Sequence, residues 1–483
     1  MIFNSAAFLF FFATFLPVYW AIHRNIVARN LWTLAASYFF YGSWDWRFLF
    51  LLMFSTAVDF SVGLAIHRTT EPRKRKRLLA ISVITNIGIL GTFKYFGFFV
   101  DSFIDLLALL GIEGQRPTLN IILPVGLSFY TFQSLSYAIE IYRGNLKPTS
   151  SLLNLATYVA FFPQLVAGPI ERPGRLLPQI EGPVTLTLAR AQDGAWLILW
   201  GLIKKMLVAD RVAVYVNGVF DSPDAYSPAT CLTAVLLFAV QIYCDFSGYT
   251  DIARGTAKLL GVELIRNFDT PYFATSLRDF WRRWHISLST WFRDYVFIPL
   301  GGSRGPAWLT RRNLIITFMV SGLWHGAAYT YLIWGMLHGI GYVLDPFSRK
   351  NPDEHTSFRP LRLFAGWLTT FVFVNLAWLF FRAPTLHEAT TMLENIASPA
   401  AWAASWNAGS FWVSVAMNRS EQAAAVVLMA LVFGTEWLAR HRGFEHTMST
   451  VSAPVRWAYS WLLLGLILMM APSDSGPFIY FQF

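Results

Sequence analysis

The amino-acid sequence predicts an all-α polytopic membrane protein. Three observations support this fold class: 55% of the 483 residues are hydrophobic, only 14% are charged, and the apolar residues lie in long unbroken runs. A transmembrane helix needs about 20 mostly apolar residues, so we expect about 11–13 membrane helices. Closed β-barrels are disfavoured because their strands alternate apolar and polar residues.

Apolar runs follow one another along the whole chain. We expect them to form a single integral-membrane domain over residues 1–483, with re-entrant or interfacial segments around a central cavity. The runs cover about residues 2–22, 31–43, 48–66, 78–99, 120–142, 153–168, 194–216, 228–244, 314–344, 361–381, 423–438 and 455–471.

Positive charge predicts the orientation of these runs. The densest basic cluster, Arg73–Arg77, lies between the third and fourth runs. The positive-inside rule places such a cluster in the cytoplasm, and counting back three spans puts the N-terminus outside. The first cation is Arg24, so the first run reads as a retained span and not as a cleaved signal peptide.

Neither a metal site nor nucleic-acid binding is expected. The chain has two cysteines, Cys231 and Cys244, and lacks the CxxC or Cys/His spacing of zinc sites. The formal net charge of +10 comes from basic residues in short loops between apolar runs. Topology signals and contacts with anionic membrane lipid explain this charge.

A stretch rich in proline and glycine, residues 163–188, departs from a simple helical bundle. Its prolines and glycines are interleaved with Glu171, Arg172 and Arg175, and a helix cannot continue through them. Irregular backbone at membrane depth is tolerated where protein or a water-filled cavity covers it. A re-entrant or cavity-lining segment and an ordinary interfacial loop both remain open.

Polar residues share one helical face in the run 120–142. Gln133, Ser136, Tyr137 and Glu140 follow the i, i+3, i+4, i+7 spacing. Such a face lines a wet interior in many membrane proteins, and interhelical hydrogen bonding is the alternative. We favour the cavity interpretation for Gln133 and Glu140, unless Glu140 sits at the interface beside Arg143.

Charged residues also accompany two later runs. Mixed signs at close spacing predict structural ion pairing at the membrane surface, with snorkelling lysines, for Lys204, Lys205, Asp210 and Arg211. Asp245 and Asp251 flank Ser247 and Gly248, a pattern typical of a turn that caps a new helix near Tyr249. General acid/base catalysis by Asp245 and Asp251 is the alternative.

The densest group of polar and aromatic residues lies at 276–294. Ser276 with Asp279 three residues later matches a capping box, so a helix is expected to start here. Its apolar face holds Trp281, Trp284, Leu288 and Trp291. An interfacial amphipathic helix is one interpretation. The other places His285 beside arginines that hold phosphates, namely Arg278, Arg282, Arg283 and Arg293.

His325 is the strongest candidate in the run 314–344, which contains no charged residue. It stands between Trp324 and Gly326, and a lone histidine in a membrane run is a functional-site hypothesis. A structural hydrogen bond to a neighbouring helix is the alternative. His338 lies thirteen residues further on, about 220° around a continuous helix, so the two histidines would not share a helical face. We favour His325 as the functional candidate.

Taken together, these segments resemble the membrane-bound O-acyltransferase superfamily, and within it the bacterial alginate O-acetyltransferase branch. The matching motifs lie at about 164–326: Gln164-Leu-Val-Ala-Gly-Pro-Ile-Glu-Arg172, Gly201-Leu-Ile-Lys-Lys-Met-Leu-Val-Ala-Asp-Arg211, Cys244-Asp-Phe-Ser-Gly-Tyr-Thr-Asp251, Phe280-Trp-Arg-Arg-Trp-His-Ile-Ser-Leu-Ser-Thr-Trp-Phe-Arg-Asp-Tyr295, Pro299-Leu-Gly-Gly-Ser-Arg304 and Ser321-Gly-Leu-Trp-His-Gly326. The ending Phe478–Phe483 also resembles this branch.

This resemblance implies an O-acetyltransferase of the bacterial inner membrane with a periplasmic N-terminus. The donor would be acetyl-CoA as a substrate, with no permanently bound cofactor, and the acceptor a hydroxyl of an extracellular polysaccharide such as alginate. The family's signature histidines correspond to His285 and His325. Relatives act with periplasmic esterase-like acetyltransferase proteins and with polysaccharide export machinery.

The implied chemistry suits these residues. A neutral, buried His325 can take the proton of a hydroxyl as a general base. His285, an arginine or a backbone N–H would stabilise the oxyanion, and the sequence does not choose among them. D-alanyl or other acyl transfer to a cell-wall polymer is one alternative function. A transporter, or a non-catalytic scaffold of an export complex, is another.

Overall fold

The computed structural model describes a helical protein. It covers residues 1–483 with the exception of 113–120, 167, 349–358, 409–416, 441–442, 472–475, 477 and 480–483. Within the covered residues the regular structure consists of α-helices with short 3₁₀ and π-helical turns, and no strand occurs there. The predicted all-α polytopic fold class is confirmed.

The helices group into two compact units. Unit 1 contains residues 1–198 and 252–265, and unit 2 contains residues 199–251 and 266–483. The helices that lie wholly in unit 1 are α1 (Ala6–Ile22), α2 (Ile26–Asp45), α3 (Leu49–Arg68), α4 (Pro72–Leu90), α5 (Phe96–Leu109), α6 (Leu127–Arg143), α7 (Leu152–Ala160), α8 (Phe162–Leu165) and α9 (Pro173–Glu181).

Two of the remaining helices, α10 and α12, contribute residues to both units, and the others belong to unit 2. They are α10 (Leu188–Leu202), α11 (Asp210–Phe220), α12 (Pro228–Leu259), α13 (Leu277–Arg283), α14 (Ile286–Phe292), α15 (Ala307–His325), α16 (Tyr329–Leu344), α17 (Arg359–Arg382), α18 (Leu386–Ala397), α19 (Pro399–Asn407), α20 (Arg419–Ala439), α21 (Phe444–Thr450) and α22 (Ala453–Met470).

Several helical stretches are long and apolar enough to cross a membrane. In the described part of the chain there are six: Ile26–Arg68, Pro72–Leu109, Pro228–Leu259, Pro360–Arg382, Arg419–Ala439 and Ala453–Met470. Ala6–Ile22 is a shorter apolar helix. The protein is therefore a multi-pass membrane protein, and the number of 11–13 membrane helices stays a prediction.

The basic cluster Arg73–Arg77 forms the first turns of α4 and is not a loop. Pro72 opens this helix at a position where no backbone N–H is needed. Arg75 turns back and donates to the carbonyl oxygen of Tyr142 at 2.8 Å. The other cations of the cluster stay exposed or partly exposed at the helix end.

The proline-rich stretch at 163–188 contains two short helices, α8 and α9, and the described residues between them, 166 and 168–172, are irregular and mostly buried. Pro163 and Pro173 stand in the first turns of these helices. Protein contacts hold both ends of α9: before it, the hydroxyl of Tyr158 donates to the carbonyl oxygen of Glu171 at 3.0 Å, and after it, Arg29 donates to the carbonyl oxygen of Gly182 at 2.9 Å. The irregular backbone beside α9 is thus held by other parts of the protein, and the choice between a re-entrant segment and an interfacial loop stays open.

The long uncharged run at 314–344 is divided between α15 and α16. α15 ends at His325, and α16 begins at Tyr329 after a short extended connection. The two helices pack backbone to backbone, because a side chain at Gly322 would meet the carbonyl of Tyr331, and one at Gly335 would meet that of Phe318. These small residues therefore bring the helices close together and hold His325 at a helix end.

Candidate active site

His325 is the last residue of α15, and its side chain is buried among aromatic rings. Its imidazole lies 4.8 Å from the ring of Trp324, 5.1 Å from Trp334 and 5.2 Å from Phe381, measured between ring centroids. Aromatic rings therefore enclose the His325 side chain where α15 ends.

His285 occupies a backbone conformation that non-glycine residues rarely adopt. It lies between α13 and α14 with φ 42° and ψ 56°, in the left-handed region. Such strain costs about 1–3 kcal/mol and persists only where surrounding contacts impose it.

Ser276 caps α13 as predicted, since its hydroxyl accepts from the backbone N–H of Asp279 at 3.1 Å.

The predicted single amphipathic helix at 276–294 is therefore wrong. The helix is interrupted at His285 because Asn267 binds the backbone there. The N–H of Ile286 donates to the backbone carbonyl oxygen of Asn267 at 2.9 Å. The apolar face expected at a lipid interface is instead buried within the protein, since Trp281, Trp284, Leu288 and Trp291 are all buried.

The imidazole of His285 is fully buried and outside the candidate membrane-spanning helices. Its ring centroid lies 4.6 Å from that of Phe246 and 6.2 Å from that of Trp324. Burial lowers the pKa of His285 to about 3, so the side chain is neutral at physiological pH. Trp324 thus contacts both histidines, and the structure brings together His285, Trp324 and His325.

His338 is also buried, on α16, but its ring is engaged by a neighbouring side chain. The indole N–H of Trp281 donates to its Nδ1 at 3.3 Å. Since Trp281 belongs to α13, this bond ties α16 to the helix that carries the arginines. The preference for His325 over His338 as the catalytic candidate stays a prediction.

Three of the four predicted arginines line a cavity of about 500 Å³ in unit 2. Arg278, Arg282 and Arg293 form its cationic wall, with hydroxyl groups and the rings of Trp281 and Phe318 beside them. Arg283 is turned away and pairs with Asp279 at 2.9 Å. The cavity therefore suits a ligand that is anionic at one end and apolar at the other.

Asp245 and Asp251 lie inside α12, so the predicted turn and new helix near Tyr249 are wrong. Gly248 is required for a different reason: a side chain there would come within 2.7 Å of the carbonyl oxygen of Gly201. The two carboxylates instead face the lysines of the preceding segment, at 2.5 Å between Asp245 and Lys205 and 2.6 Å between Asp251 and Lys204.

These ion pairs are buried, which also corrects the prediction of snorkelling lysines at the surface. Lys204 and Lys205 expose only 2% and 1% of their surface. Lys205 pairs in addition with Asp210 at 2.8 Å, and Asp245 accepts from the backbone N–H of Ile479 at 2.6 Å. Asp245 is thus bound on two sides, and the segment after α22 packs against it. Residues 480–483 of the predicted C-terminal motif lie outside the described residues.

Gln133 and Glu140 belong to α6 in unit 1, whereas both signature histidines belong to unit 2. Gln133 is buried. Glu140 stands at the end of α6, where its carboxylate lies 3.3 Å from Arg143 and accepts from Asn145 at 2.9 Å. These contacts match the alternative of a helix-end ion pair beside Arg143, and a role of either residue in a polar pathway stays a prediction.

Asn267 is a residue that sequence reasoning missed. It lies eighteen positions before His285, outside any recognisable spacing, and its amide contacts backbone and side chains that meet only in the folded chain. Phe246, which stands between Asp245 and Ser247 in a quoted motif, was likewise not singled out although it packs against His285. Only three-dimensional proximity reveals these two residues.

Comparison with known proteins agrees with this arrangement. The sequence profile of the membrane-bound O-acyltransferase family matches residues 145–383, a range that includes both histidines. The probable alginate O-acetylase of Azotobacter vinelandii is 35% identical over 520 aligned residues, covering 100% of this chain and 100% of the relative. The chain belongs to the membrane-bound O-acyltransferase family.

Two further relatives widen this comparison. The peptidoglycan O-acetyltransferase of Helicobacter pylori is 37% identical over 431 residues, covering 82% of this chain and 80% of the relative. The teichoic acid D-alanyltransferase of Bacillus subtilis is 30% identical over 242 residues, covering 47% of this chain and 60% of the relative. The predicted family and the predicted enzyme class, an O-acetyltransferase, are confirmed.

Proposed function

We propose that this acyltransferase moves an acetyl group from cytosolic acetyl-CoA to hydroxyl groups of an extracellular or periplasmic polysaccharide such as alginate, directly or through partner proteins. The observation that carries the proposal is the cluster of His285, Trp324 and His325, two buried histidines around one indole. The full-length similarity to a probable alginate O-acetylase favours acetyl groups and an exopolysaccharide acceptor.

The cationic cavity supports a donor that carries phosphates. Guanidinium groups form strong charge-assisted bonds with phosphate oxygens, and Arg278, Arg282 and Arg293 line one cavity. The apolar side chains that line the same cavity suit the pantetheine arm of CoA and the small acyl group. Arg283 does not line the cavity, and Arg293 lines it but pairs with Asp294 at 2.8 Å, so we expect Arg278 and Arg282 to contribute most to this role.

The chemistry needs a base and a leaving-group acid. A hydroxyl oxygen of the acceptor attacks the thioester carbonyl carbon while His325 takes the hydroxyl proton. The new C–O bond forms, the C–S bond breaks, and the proton passes from His325 to the departing thiolate. The products are the O-acetyl ester and free CoA thiol. A positioned base of this kind contributes about 10²–10⁴-fold to the rate.

The cellular setting follows from the donor and the acceptor. We place the protein in the bacterial inner membrane with Arg73–Arg77 in the cytoplasm and the N-terminus in the periplasm. Because acetyl-CoA is cytosolic and the polysaccharide lies outside, the acyl group crosses the membrane through this protein. Periplasmic esterase-like acetyltransferases and the polysaccharide export machinery are the expected partners.

A second candidate function is D-alanyl or other acyl transfer to a cell-wall polymer. The similarity to a teichoic acid D-alanyltransferase favours it, although this relative is matched over only 47% of the present chain. Both functions use a thioester donor and the same histidines. They differ in the acyl group that the purified enzyme accepts.

Incubation of the purified, full-length protein with acetyl-CoA and acetyl-free alginate oligosaccharide tests the proposal. We expect acceptor-dependent release of free thiol and one acetyl ester formed per thiol. Release with a D-alanyl thioester and not with acetyl-CoA would favour the second function. Absence of thiol release with either donor, in the presence of the membrane partners, would support a transporter or scaffold.

A further inference from the structure

The side-chain amide of Asn267 lies within hydrogen-bonding distance of His285 and Ser287. Its Oδ1 lies 3.1 Å from the backbone nitrogen of Ser287, 2.9 Å from the hydroxyl of Ser287 and 3.2 Å from Nδ1 of His285. All three residues are fully buried. The contacts therefore persist without competition from water.

The identity of this amide atom follows from the backbone. A backbone N–H can only donate, so the atom that faces the nitrogen of Ser287 is the amide oxygen and not the amide nitrogen. An exchange of the two amide atoms would set an NH₂ group against an N–H group. The side-chain orientation of Asn267 is thus determined by its surroundings.

This orientation fixes the tautomer of His285. The hydroxyl of Ser287 also lies 3.5 Å from Nδ1 of His285, but its one proton is donated to Oδ1 of Asn267 at 2.9 Å. Because the amide oxygen only accepts, Nδ1 of His285 carries a proton and donates it to Asn267. In a neutral imidazole the other ring nitrogen then carries the lone pair. Nε2 of His285 is consequently a hydrogen-bond acceptor.

The same residue also fixes the backbone directly after the strained position. The carbonyl oxygen of Asn267 accepts from Ile286 N–H at 2.9 Å, and its side chain accepts from Ser287 N–H. His285, at φ 42°, directly precedes these two residues. Asn267 therefore imposes the conformation that aims the ring.

We propose that Asn267 is a positioning residue that holds His285 as the Nδ1–H tautomer, so that Nε2 is a hydrogen-bond acceptor and not a donor. The consequence for the oxyanion rests on the proposed function. A neutral His285 in this tautomer cannot donate to an oxyanion through Nε2. The oxyanion donor of the reaction is therefore another group.

Nitrogen NMR of histidine-labelled protein tests the tautomer independently of activity. The chain has 9 histidines, and the resonances of His285 are identified by their loss in His285→Gln. We expect a protonated Nδ1 and an unprotonated Nε2 in the wild type. Asn267→Ala should give a mixture of tautomers, and Asn267→Asp, which keeps the acceptor oxygen, should keep Nδ1 protonated. An unprotonated Nδ1 in the wild type would overturn the proposal.

Kinetics of the same variants test the positioning role. We expect Asn267→Ala to lower kcat by about tenfold or more while KM for acetyl-CoA changes little, because an imidazole of mixed tautomer beside Trp324 and His325 disturbs the geometry of the reacting groups. Asn267→Asp should recover part of kcat. Unchanged kcat in folded Asn267→Ala would contradict the role.

Asn375→Ala is the matched control. Asn375 is a buried asparagine of α17 whose amide donates to the carbonyl oxygen of Phe371 one turn earlier, at 2.8 Å. It should leave both the His285 resonances and kcat unchanged. If Asn267→Ala fails to fold, the wild-type spectrum and Asn267→Asp still decide the tautomer. If the wild type releases no thiol from acetyl-CoA, the proposed function fails while the tautomer result stands.

Discussion

The indole ring of Trp324 lies 6.2 Å from the imidazole of His285, although the two residues are separated by 39 positions in sequence. Trp324 also precedes His325 directly, and its ring lies 4.8 Å from that imidazole. One side chain thus contacts both signature histidines. Because aromatic contacts of this kind fix ring orientation, Trp324 couples the end of α15 to the strained segment between α13 and α14.

Arg282→Glu tests the donor cavity. The substitution places a carboxylate where we expect phosphates, so KM for acetyl-CoA should rise by about tenfold or more, since a bond to a charged group contributes about 1.5–3 kcal/mol. Steady-state kinetics at varied acetyl-CoA concentration measure this effect. Arg311→Glu, at an exposed position of α15 that does not line the cavity, is the matched control. An unchanged KM in Arg282→Glu would remove this arginine from the donor site.

Lys205→Met tests the buried charge network. The substitution leaves Asp210 and Asp245 without their shared cation, and breaking a buried ion pair on one side costs about 3–5 kcal/mol. The thermal midpoint of the purified protein should fall clearly. The double variant Lys205→Met/Asp245→Asn should recover part of the loss because less unpaired charge remains. A midpoint equal to that of the wild type in Lys205→Met would show that the network does not stabilise the fold.

Lys74→Cys tests the orientation. Lys74 is an exposed residue of the basic cluster, and the native Cys231 and Cys244 are buried, so labelling reports on the new cysteine. In spheroplasts, a membrane-impermeant maleimide should fail to label Lys74→Cys. Arg47→Cys, which follows the second apolar run and is exposed, should be labelled from outside. The reverse pattern would invert the proposed topology.

Sequence alone predicted the membrane class and the family, because these depend on long apolar runs and on residues that are contiguous in motifs. It failed where the environment of a residue is set by distant segments. Gly248 and Ser247 suggest a turn, yet α12 continues through them, and Gly248 instead allows close approach of Gly201. The lysines of the segment 203–209 look like surface charges until their carboxylate partners on α12 are seen. Asn267 gave no local signal at all.

The most direct test of the account is acetyl transfer by His325→Gln. Glutamine keeps hydrogen-bonding capacity and similar bulk but cannot take a proton at neutral pH. The variant should remain inserted and folded, with a thermal midpoint near that of the wild type, and acetyl-CoA-dependent thiol release should fall by about 10² or more. His387→Gln, at an exposed position of α18, should keep full activity. If folded His325→Gln retains near-normal acetyl transfer, His325 is a structural residue and the role of base passes to His285.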